Sequence, residues 1–159
     1  MPLYAANVMT SKVITAGPDD TIAHVAQLLA RHHISAVPVC AADGALVGMV
    51  SEGDLMRSFG TETENRRAWW LRMLAEGTEL APAFLAAVRQ DQRHVKDVMT
   101  TRVTTVAEGT PLREIADLIV QHRIKRVPVV RDGKVVGIVS RADLVRVIAE
   151  TPGELSELL

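Results

Sequence analysis

The sequence is poor in the residues that mark several classes of protein. Of its 159 residues only 3% are aromatic, and the chain has a single cysteine, Cys40. One cysteine excludes an intramolecular disulfide and is typical of a reducing compartment. Because Cys40 lies in a predicted strand, we interpret it as an inert core thiol rather than a nucleophile. With so few aromatic side chains, the core must consist of Val, Ile, Leu, Ala and Met.

The chain also lacks long apolar runs and a strong excess of charge. No apolar run approaches the ~20 residues of a membrane span, and the N-terminus has neither the basic start nor the apolar stretch of a signal peptide. The formal net charge is −1, which gives no electrostatic basis for binding nucleic acid or an anionic membrane. We therefore predict a soluble, cytoplasmic protein that binds neither nucleic acid nor membrane.

Motifs of catalysis and of metal binding are missing as well. The sequence has no glycine-rich phosphate loop, and no serine, histidine and acid have a spacing that suggests a catalytic triad. His32-His33 and His122 have no carboxylate or cysteine to complete a metal site, and adjacent histidines on a helix do not share a face. We expect no catalytic residues, no metal and no obligatory cofactor, so the chain is not predicted to be an enzyme.

What the sequence does contain is an internal repeat. Val8-Met9-Thr10 returns as Val98-Met99-Thr100, and the stretch from Val47 to Leu55 returns as the stretch from Val136 to Leu144. A Val-Pro-Val segment lies between these two motifs in both copies. Duplication of one structural unit is the simplest explanation.

Each copy predicts the order β-α-β-β-α. A short β-branched segment (13–15, 103–106) indicates a first strand, and an Asp-Gly turn later joins two further strands as a hairpin. In one copy the polar pair Asp20 and Thr21 is predicted to open the first helix. In the other copy Thr110 is the predicted cap, with Pro111 as the first helical residue. Core-facing stripes follow from helical spacing: Ile22, Val25, Ala26 and Leu29; Leu112, Ile115, Ala116 and Ile119.

Pro38 and Pro128 fall inside predicted strands, where proline cannot donate to a strand ladder. They therefore lie at a sheet edge or beside a ligand. One such sheet is too small to bury itself, so the predicted fold class is α/β, with two β-α-β-β-α repeats packed together.

The predicted boundaries are residues 1–58 for the first repeat, 95–150 for the second and 151–159 for a C-terminal tail. Residues 59–94 match neither copy, and their apolar spacing predicts an inserted helical hairpin. Both tryptophans, Trp69-Trp70, lie in this insertion. They either cover the core of the module or form an interface with a second subunit or partner.

A Ser-x-x-Asp motif stands in both copies at the point where an apolar strand runs into a helix: Ser51 with Asp54, and Ser140 with Asp143. A helix N-terminus can bind an anion such as phosphate, and the aspartate can accept hydrogen bonds from hydroxyl groups such as those of a ribose. The same spacing is also a variant of the capping box, in which both side chains only satisfy the helix end. The two interpretations are compatible with each other.

The succession of Val-Met-Thr, a helix, Val-Pro-Val and Val-Gly-h-Val-Ser-x-x-Asp-Leu, where h is hydrophobic, resembles the CBS domain, named after cystathionine β-synthase. Two copies, over residues 7–58 and 97–149, are similar to a CBS pair or Bateman module. The segment 66–71 is similar to bacterial CBS-pair proteins that carry a BON domain, which we do not expect here because the chain ends at Leu159. The resemblance implies two repeats related by pseudo-two-fold symmetry, with two clefts that bind adenosine compounds (AMP, ADP, ATP, S-adenosylmethionine or NAD) as regulatory ligands.

The resemblance also implies which residues line the clefts, each cleft taking its Ser-x-x-Asp from one repeat and its other residues from the second. The first cleft would be lined by Thr15, Ile34, Ser35, Ala36, Pro38, Ser140 and Asp143. The second cleft would be lined by Met49, Ser51, Asp54, Thr105, Lys125, Arg126 and Pro128. In both clefts the aspartate is expected to hold the ribose hydroxyls, and the serine and the helix N-terminus are expected to face phosphate.

The two expected clefts differ in charge, because Lys125 and Arg126 occupy the positions of Ser35 and Ala36. Charge-assisted contacts to phosphate are the stronger ones, so we expect the second cleft to bind the more phosphorylated nucleotide. Arg141, which follows Ser140, partly compensates for the missing positive charge in the first cleft. The alternative is that the cations are solvated surface charges.

The leading interpretation is an adenine-nucleotide-sensing module that forms a homodimer and regulates a partner protein which the sequence does not identify. One alternative is a structural homodimerisation or partner-binding module with empty clefts. Another is a sensor of S-adenosylmethionine or NAD. A nucleic-acid-binding role is disfavoured by the charge balance.

Overall fold

The helices and strands follow the same order in both halves of the chain. In this computed structural model, the structure describes residues 2–60 and 92–151. The first half contains α1 (Ala5–Val8), α2 (Ile22–His32), β1 (Ala36–Cys40), β2 (Leu46–Ser51) and α3 (Glu52–Gly60). The second half contains α4 (Val95–Val98), α5 (Leu112–Gln121), β3 (Arg126–Arg131), β4 (Lys134–Ser140) and α6 (Arg141–Glu150).

The strands form two small antiparallel sheets, β1 with β2 and β3 with β4. This mixture of helices and two-stranded sheets confirms the predicted α/β fold class. The predicted helical hairpin around Trp69-Trp70 lies outside the described residues, as does the tail after residue 151.

The described residues divide into two compact units that do not follow the sequence repeats from end to end. One unit, here called the α3 unit, contains residues 15–39, 47–60 and 92–101. The other, the α6 unit, contains residues 2–14, 40–46 and 102–151. The short helix α4 is therefore grouped with α3, and α1 is grouped with α6.

Backbone hydrogen bonds explain this grouping. In the α6 unit the N–H of Ala5 donates to the carbonyl of Thr110 at 2.9 Å, and in the α3 unit the N–H of Val95 donates to the carbonyl of Asp20 at 2.9 Å. Ala5 and Val95 are both fully buried. Each short helix thus satisfies its first amide and buries its apolar residue against the loop that precedes α5 or α2.

The Val-Met-Thr motif that follows each short helix pairs with the strand before the closing helix. Thr100 exchanges two backbone hydrogen bonds with Met49, at 2.8 and 2.9 Å, and Thr10 exchanges two with Ile138, at 2.9 and 3.1 Å. These pairings are isolated bridges outside the two sheets. They explain why the Val-Met-Thr and Val-Gly motifs recur together in the sequence.

The glycine beside each of these bridges leaves room for the methionine of the motif. A Cβ atom at Gly48 would lie 2.6 Å from Sδ of Met99 and 2.9 Å from the carbonyl oxygen of Thr100. A Cβ atom at Gly137 would meet the side chain of Met9 in the same way. Both glycines are therefore required by close packing, although their backbone conformation is ordinary.

The hairpin turns contain the predicted Asp-Gly pairs. Between β3 and β4 the turn consists of Asp132 and Gly133, both with positive φ (53° and 78°), the pattern that suits a two-residue hairpin. Between β1 and β2 the connection spans residues 41–45, and there only Gly44 has positive φ, at 88°. This connection is longer because the first repeat has one extra residue and because β1 and β2 are each one residue shorter than β3 and β4.

The first strand predicted in each repeat (13–15, 103–106) is not formed, and a single parallel bridge stands at or just after each segment, Ala16 to Val39 and Val106 to Val129. The N–H of Ala16 donates to the carbonyl of Pro38 at 3.0 Å, and that of Val106 donates to the carbonyl of Pro128 at 3.1 Å. The N and O atoms of one strand residue face the same side of the strand. The nitrogen of each proline therefore faces away from the paired strand, β2 or β4, where no ladder hydrogen bond is lost. The edge explanation for the two prolines therefore holds.

The predicted polar pair Asp20 and Thr21 does open α2, with Thr21 as its cap, whereas the cap predicted at Thr110 is wrong. Oγ1 of Thr21 accepts a hydrogen bond from the N–H of His24 at 3.1 Å and caps α2. Pro111, which has no side-chain oxygen, occupies the N-cap position of α5, and Oγ1 of Thr110 accepts instead from the N–H of Ala107 at 3.0 Å. The helix begins one residue later than predicted, and Thr110 closes the turn before it.

Both units bury the predicted helical stripes against their strands, except that Ala26 and Ala116 are only half-buried. In the α6 unit the buried cluster is Ala5, Val106, Leu112, Ile115, Ile119, Val127, Val129 and Val139. In the α3 unit the buried apolar residues are Ala16, Ile22, Val25, Leu29, Val37, Val39, Val50, Leu55 and Val95. Most of them are β-branched or leucine, as the scarcity of aromatic residues requires.

Candidate functional site

The candidate site in the α3 unit is built where β2 ends and α3 begins. Oδ2 of Asp54 accepts hydrogen bonds from the backbone N–H of Ser51 at 2.9 Å and from its hydroxyl at 3.1 Å. Oγ of Ser51 in turn accepts from the N–H of Asp54 at 3.3 Å. Both side chains thus satisfy polar groups of the helix end, as the capping-box interpretation predicts.

The α6 unit repeats this arrangement at the end of β4. Oδ2 of Asp143 accepts from the backbone N–H of Ser140 at 2.8 Å and from its hydroxyl at 2.9 Å, and Oγ of Ser140 accepts from the N–H of Asp143 at 3.2 Å. Because the serine hydroxyl donates its hydrogen to the aspartate, it can face a ligand phosphate only as an acceptor or after that bond breaks.

Each aspartate also contacts an arginine one turn further along its helix. Nη2 of Arg146 donates to Oδ1 of Asp143 at 2.7 Å, and Nη2 of Arg57 donates to Oδ1 of Asp54. The aspartates are only 7% exposed, whereas the side chains of Arg57 and Arg146 are 70% and 58% exposed. A buried carboxylate needs such a partner, although solvent weakens a pair with an exposed arginine.

The two arginines were not predicted as site residues from the sequence. The signal was present, because an arginine follows the aspartate at the i, i+3 spacing in both copies, and residues at this spacing share a helix face. A motif Ser-x-x-Asp-x-x-Arg therefore describes the observed constellation more completely than Ser-x-x-Asp.

The remaining amide groups of each helix N-terminus are only partly available for an anion. The N–H of Glu52 donates to the carbonyl of Ser35, and the N–H of Arg141 donates to the carbonyl of Lys125, both at 2.9 Å. The capping box supplies no acceptor for the next amide, that of Gly53 in α3. The helix end therefore offers an anion fewer amide donors than an uncapped one.

These backbone bonds show which predicted site residues lie together within a unit. In the α3 unit Ser35 lies beside the start of α3. In the α6 unit Lys125 lies beside the start of α6, and Arg126 is the register partner of Ser140 across the sheet. Lys125 is exposed.

The other predicted site residues are distributed along the same two units. Thr15 and Thr105 are exposed and precede the bridge residues. Pro38 and Pro128 are fully buried on their strands. Met49 pairs with Thr100. Ile34 and Ala36 are half-buried. The grouping of residues from both repeats into shared clefts stays a prediction.

Charge distinguishes the two helix starts. The first helical residue is Glu52 in α3 and Arg141 in α6. Lys125 and Arg126 add two positive charges to the α6 unit near this point, where the α3 unit has Ser35 and an alanine. The start of α6 is therefore cationic, and the start of α3, where Glu52 and Asp54 outnumber Arg57, is acidic.

Cys40 is half-buried at the end of β1, and burial raises the pKa of its thiol above the usual value. A raised pKa lowers the thiolate fraction, which agrees with the predicted inert thiol. Among the described residues, no helix has the length and apolar character needed to cross a membrane.

Two copies of one hairpin-and-helix unit, each with a serine-capped closing helix, define the class of protein. The family model of the CBS domain matches residues 5–60 and again residues 95–150. The chain belongs to the CBS domain family and carries two tandem copies of the domain.

Comparison with known proteins agrees with this assignment. The CBS domain-containing protein YhcV of Bacillus subtilis is 30% identical over 138 residues, which cover 87% of this chain and 80% of YhcV. The CBS domain pair of protein MJ0100, solved with 5′-methylthioadenosine and S-adenosyl-L-methionine, has a TM-score of 0.69 at 24% identity, covering 95% of this chain and 99% of that one. CBSX2 of Arabidopsis thaliana, solved in complex with AMP, has a TM-score of 0.70 at 24% identity, with coverages of 94% and 98%. At this identity the two structures establish the fold.

Proposed function

We propose that the chain is a regulatory CBS-pair module that binds an adenosine-containing ligand, with AMP, ADP or ATP as the first candidates. The observation that carries the proposal is the constellation of a buried aspartate, a capping serine and an exposed arginine, present at both α3 and α6. Two proteins of the same fold hold adenosyl compounds, AMP in one and S-adenosyl-L-methionine with methylthioadenosine in the other. The module acts without catalysis, through a change in packing when the ligand binds.

The aspartates are the proposed contacts for the ribose. Asp54 and Asp143 are held by the capping serine and keep acceptor capacity on Oδ1. A preorganised acceptor of this kind loses little conformational entropy when a hydroxyl group binds. Ser51 and Ser140 fix the carboxylates in this orientation.

Three cations are the proposed contacts of the phosphate groups, Lys125 and Arg126 in the second predicted cleft and Arg141 in the first. Lys125, Arg126 and Arg141 provide charge-assisted donors. Following the family resemblance, Lys125 and Arg126 complete a cleft with Asp54. This cleft prefers the more phosphorylated nucleotide.

A panel of ligands tests the proposal. Thermal unfolding and calorimetry of the full chain are measured with AMP, ADP, ATP, S-adenosylmethionine and NAD, since the last two remain alternative ligands. A bound ligand at a hundredfold excess over Kd stabilises the protein by about 2.7 kcal/mol. Asp54→Ala and Asp143→Ala are expected to lose binding, while Asp117→Ala, an exposed aspartate of α5, keeps it.

The phosphate assignment has its own test. Arg126→Ala and Lys125→Ala are expected to lower the affinity for ATP about tenfold and the affinity for AMP by less, because a charge-assisted contact to phosphate is lost. Unchanged ATP affinity in both variants contradicts the assignment and leaves adenosine binding untouched.

A second candidate function is a homodimerisation module that does not bind nucleotide. Exposed apolar side chains on α5 and α6 favour it, since Val120 is 76% exposed and Val145 is 64% exposed. Such residues are common at protein interfaces when they form a patch. Dimerisation that is lost in Val145→Glu, together with no stabilisation by any ligand of the panel, supports this candidate over the first.

A further inference from the structure

The capping boxes leave a definite and small number of acceptor positions for a ligand. Oδ2 of Asp143 accepts two hydrogen bonds from Ser140, and Oδ1 accepts one from Nη2 of Arg146. A carboxylate offers about four lone-pair sites. The observed bonds therefore leave one acceptor site, on Oδ1, and Asp54 has the same pattern with Ser51 and Arg57.

The arginine next to this acceptor has donors to spare. A guanidinium carries five N–H donors in a planar fork, and the contact with Oδ1 uses one of them. The side chains of Arg57 and Arg146 are 70% and 58% exposed, so a ligand can reach the rest of the fork. Each unit thus presents one free acceptor site and several donors side by side.

A cis-diol can bind to this aspartate and arginine in two ways, and they differ in cost. If both hydroxyls of a diol donated to the carboxylate, one of them would displace the arginine, and a buried carboxylate would lose its counter-ion. If one hydroxyl donates to Oδ1 and the oxygen of its neighbour accepts from the guanidinium, every existing hydrogen bond is kept. The second arrangement costs less.

We propose that Arg57 and Arg146 are specificity-determining residues that form, each with its neighbouring aspartate, a two-point clamp for the cis-diol of a ribose. This inference rests on the proposed function, because it assigns the ribose end of the same site. The arginines select ribonucleotides over deoxyribonucleotides. They do not act through the phosphate groups.

Calorimetry with AMP, 2′-deoxy-AMP and 3′-deoxy-AMP tests the clamp, using the full chain and the double variant Arg57→Gln/Arg146→Gln. One of the two deoxy compounds lacks the hydroxyl that contacts arginine. For that compound the wild-type preference for AMP is about tenfold or more, and it falls to about onefold in the variant. The other compound reports the contact with aspartate, so its ratio to AMP stays unchanged.

Two further double variants separate recognition from folding. Arg57→Lys/Arg146→Lys keeps a cation beside each carboxylate but lacks the planar fork. It is expected to keep the thermal midpoint and to lose the discrimination. Arg31→Gln/Arg113→Gln, which replaces exposed arginines of α2 and α5, is expected to change neither.

The possible results distinguish the clamp from the proposed function. If the glutamine variant binds AMP and both deoxy compounds more weakly by the same factor, the arginines act through phosphate or through the fold. That result overturns the clamp, as do unchanged ratios, and in both cases the proposed function stands. If the wild-type chain binds none of AMP, ADP, ATP, S-adenosylmethionine and NAD, the proposed function and the clamp both fail.

Discussion

The starts of α3 and α6 share one hydrogen-bonding pattern but differ in charge. The three bonds between Ser51 and Asp54 are 2.9, 3.1 and 3.3 Å long, and those between Ser140 and Asp143 are 2.8, 2.9 and 3.2 Å long. The first helical residue is nevertheless acidic in α3 and basic in α6. The duplication therefore kept the geometry of the aspartate while the charge around it diverged.

The charge of the first helical residue is unfavourable for the helix dipole in only one of the two units. An acidic residue in the first turn stabilises a helix by interaction with its dipole, and a basic residue destabilises it. Glu52 thus follows the rule at α3, and Arg141 breaks it at α6. Residues that break a local rule are expected at functional sites, which agrees with the proposed phosphate contact of Arg141.

The largest predicted effect tests whether the two caps are equivalent. Asp54→Ala and Asp143→Ala each remove an acceptor that serves the serine N–H, the serine hydroxyl and the arginine. We expect each variant to lose about 2 to 3 kcal/mol of unfolding free energy, measured by denaturant titration. Because the geometry is the same, the two losses are expected to agree within about 0.5 kcal/mol.

Asp117→Ala is the control for these two variants, since its exposed side chain on α5 is expected to contribute little. A loss confined to one of the two cap variants contradicts the equivalence of the caps.

The next prediction concerns the glycines that contact the methionines. A Cβ atom at Gly48 would press on the carbonyl oxygen of Thr100, a backbone atom, whereas at Gly137 its nearest contacts belong to the side chain of Met9. A flexible side chain yields more easily than backbone, so we expect Gly48→Ala to cost about 2 kcal/mol and Gly137→Ala about 1 kcal/mol. Denaturant titration measures both, and an equal or reversed order shows that the backbone near Thr100 adapts as easily as Met9 does.

Sequence reasoning predicted the fold where local chemistry alone decides the structure. Helical spacing identified the buried stripes of α2 and α5, and Asp-Gly identified both hairpins, because periodicity and turn chemistry act over a few residues. The capping boxes were anticipated for the same reason. The short helices α1 and α4 were not predicted, since four residues give no periodicity and their positions depend on bonds to distant loops, such as Ala5 to Thr110.

The same limit explains what was missed at the candidate site. The cap predicted at Thr110 is wrong because its Oγ1 accepts a hydrogen bond from the N–H of Ala107, a contact that the sequence pattern does not reveal. Arg57 and Arg146 stand at the i, i+3 spacing from aspartate in both copies, and this spacing is the signal in the sequence for their contact. Whether residues of the two repeats share a cleft depends on tertiary structure and stays a prediction.

Exchanging the first helical residues tests the charge difference directly. Arg141→Glu is expected to stabilise the protein by about 0.3 to 1 kcal/mol, and Glu52→Arg to destabilise it by a similar amount, because each reverses the interaction with its helix dipole. In the same variants ATP affinity should move in the opposite direction, falling in Arg141→Glu and rising in Glu52→Arg. Chemical denaturation and calorimetry measure the two effects.

Salt provides the control for the exchange. Screening at high ionic strength is expected to shrink both effects. If ATP affinity is unchanged in Arg141→Glu at low salt, the basic residue at the start of α6 has no role in phosphate binding.

The smallest predicted effect concerns an ion pair that only one unit has. In the α3 unit Nζ of Lys96 lies 2.9 Å from Oδ1 of Asp19. The α6 unit has Ala6 and Gly109 at the equivalent positions. Lys96 lowers the pKa of the Asp19 carboxyl below 3.8, chiefly through this hydrogen bond, and the pKa of Lys96 rises above 10.5 for the same reason.

A folded-state pKa that is lowered gives stability above the unfolded value, which is lost as the pH falls through the folded value. For Asp19 the loss therefore occurs below about pH 4, and for Lys96, whose pKa is raised, it occurs as the pH rises above about 10.5. Both side chains are largely exposed, so Asp19→Asn should shift the thermal midpoint only slightly at neutral pH, and by less still as the pH falls below about 4. A large shift at neutral pH would mean that α4 depends on this ion pair, whereas α1, with Ala6 and Gly109 at the equivalent positions, is held without it.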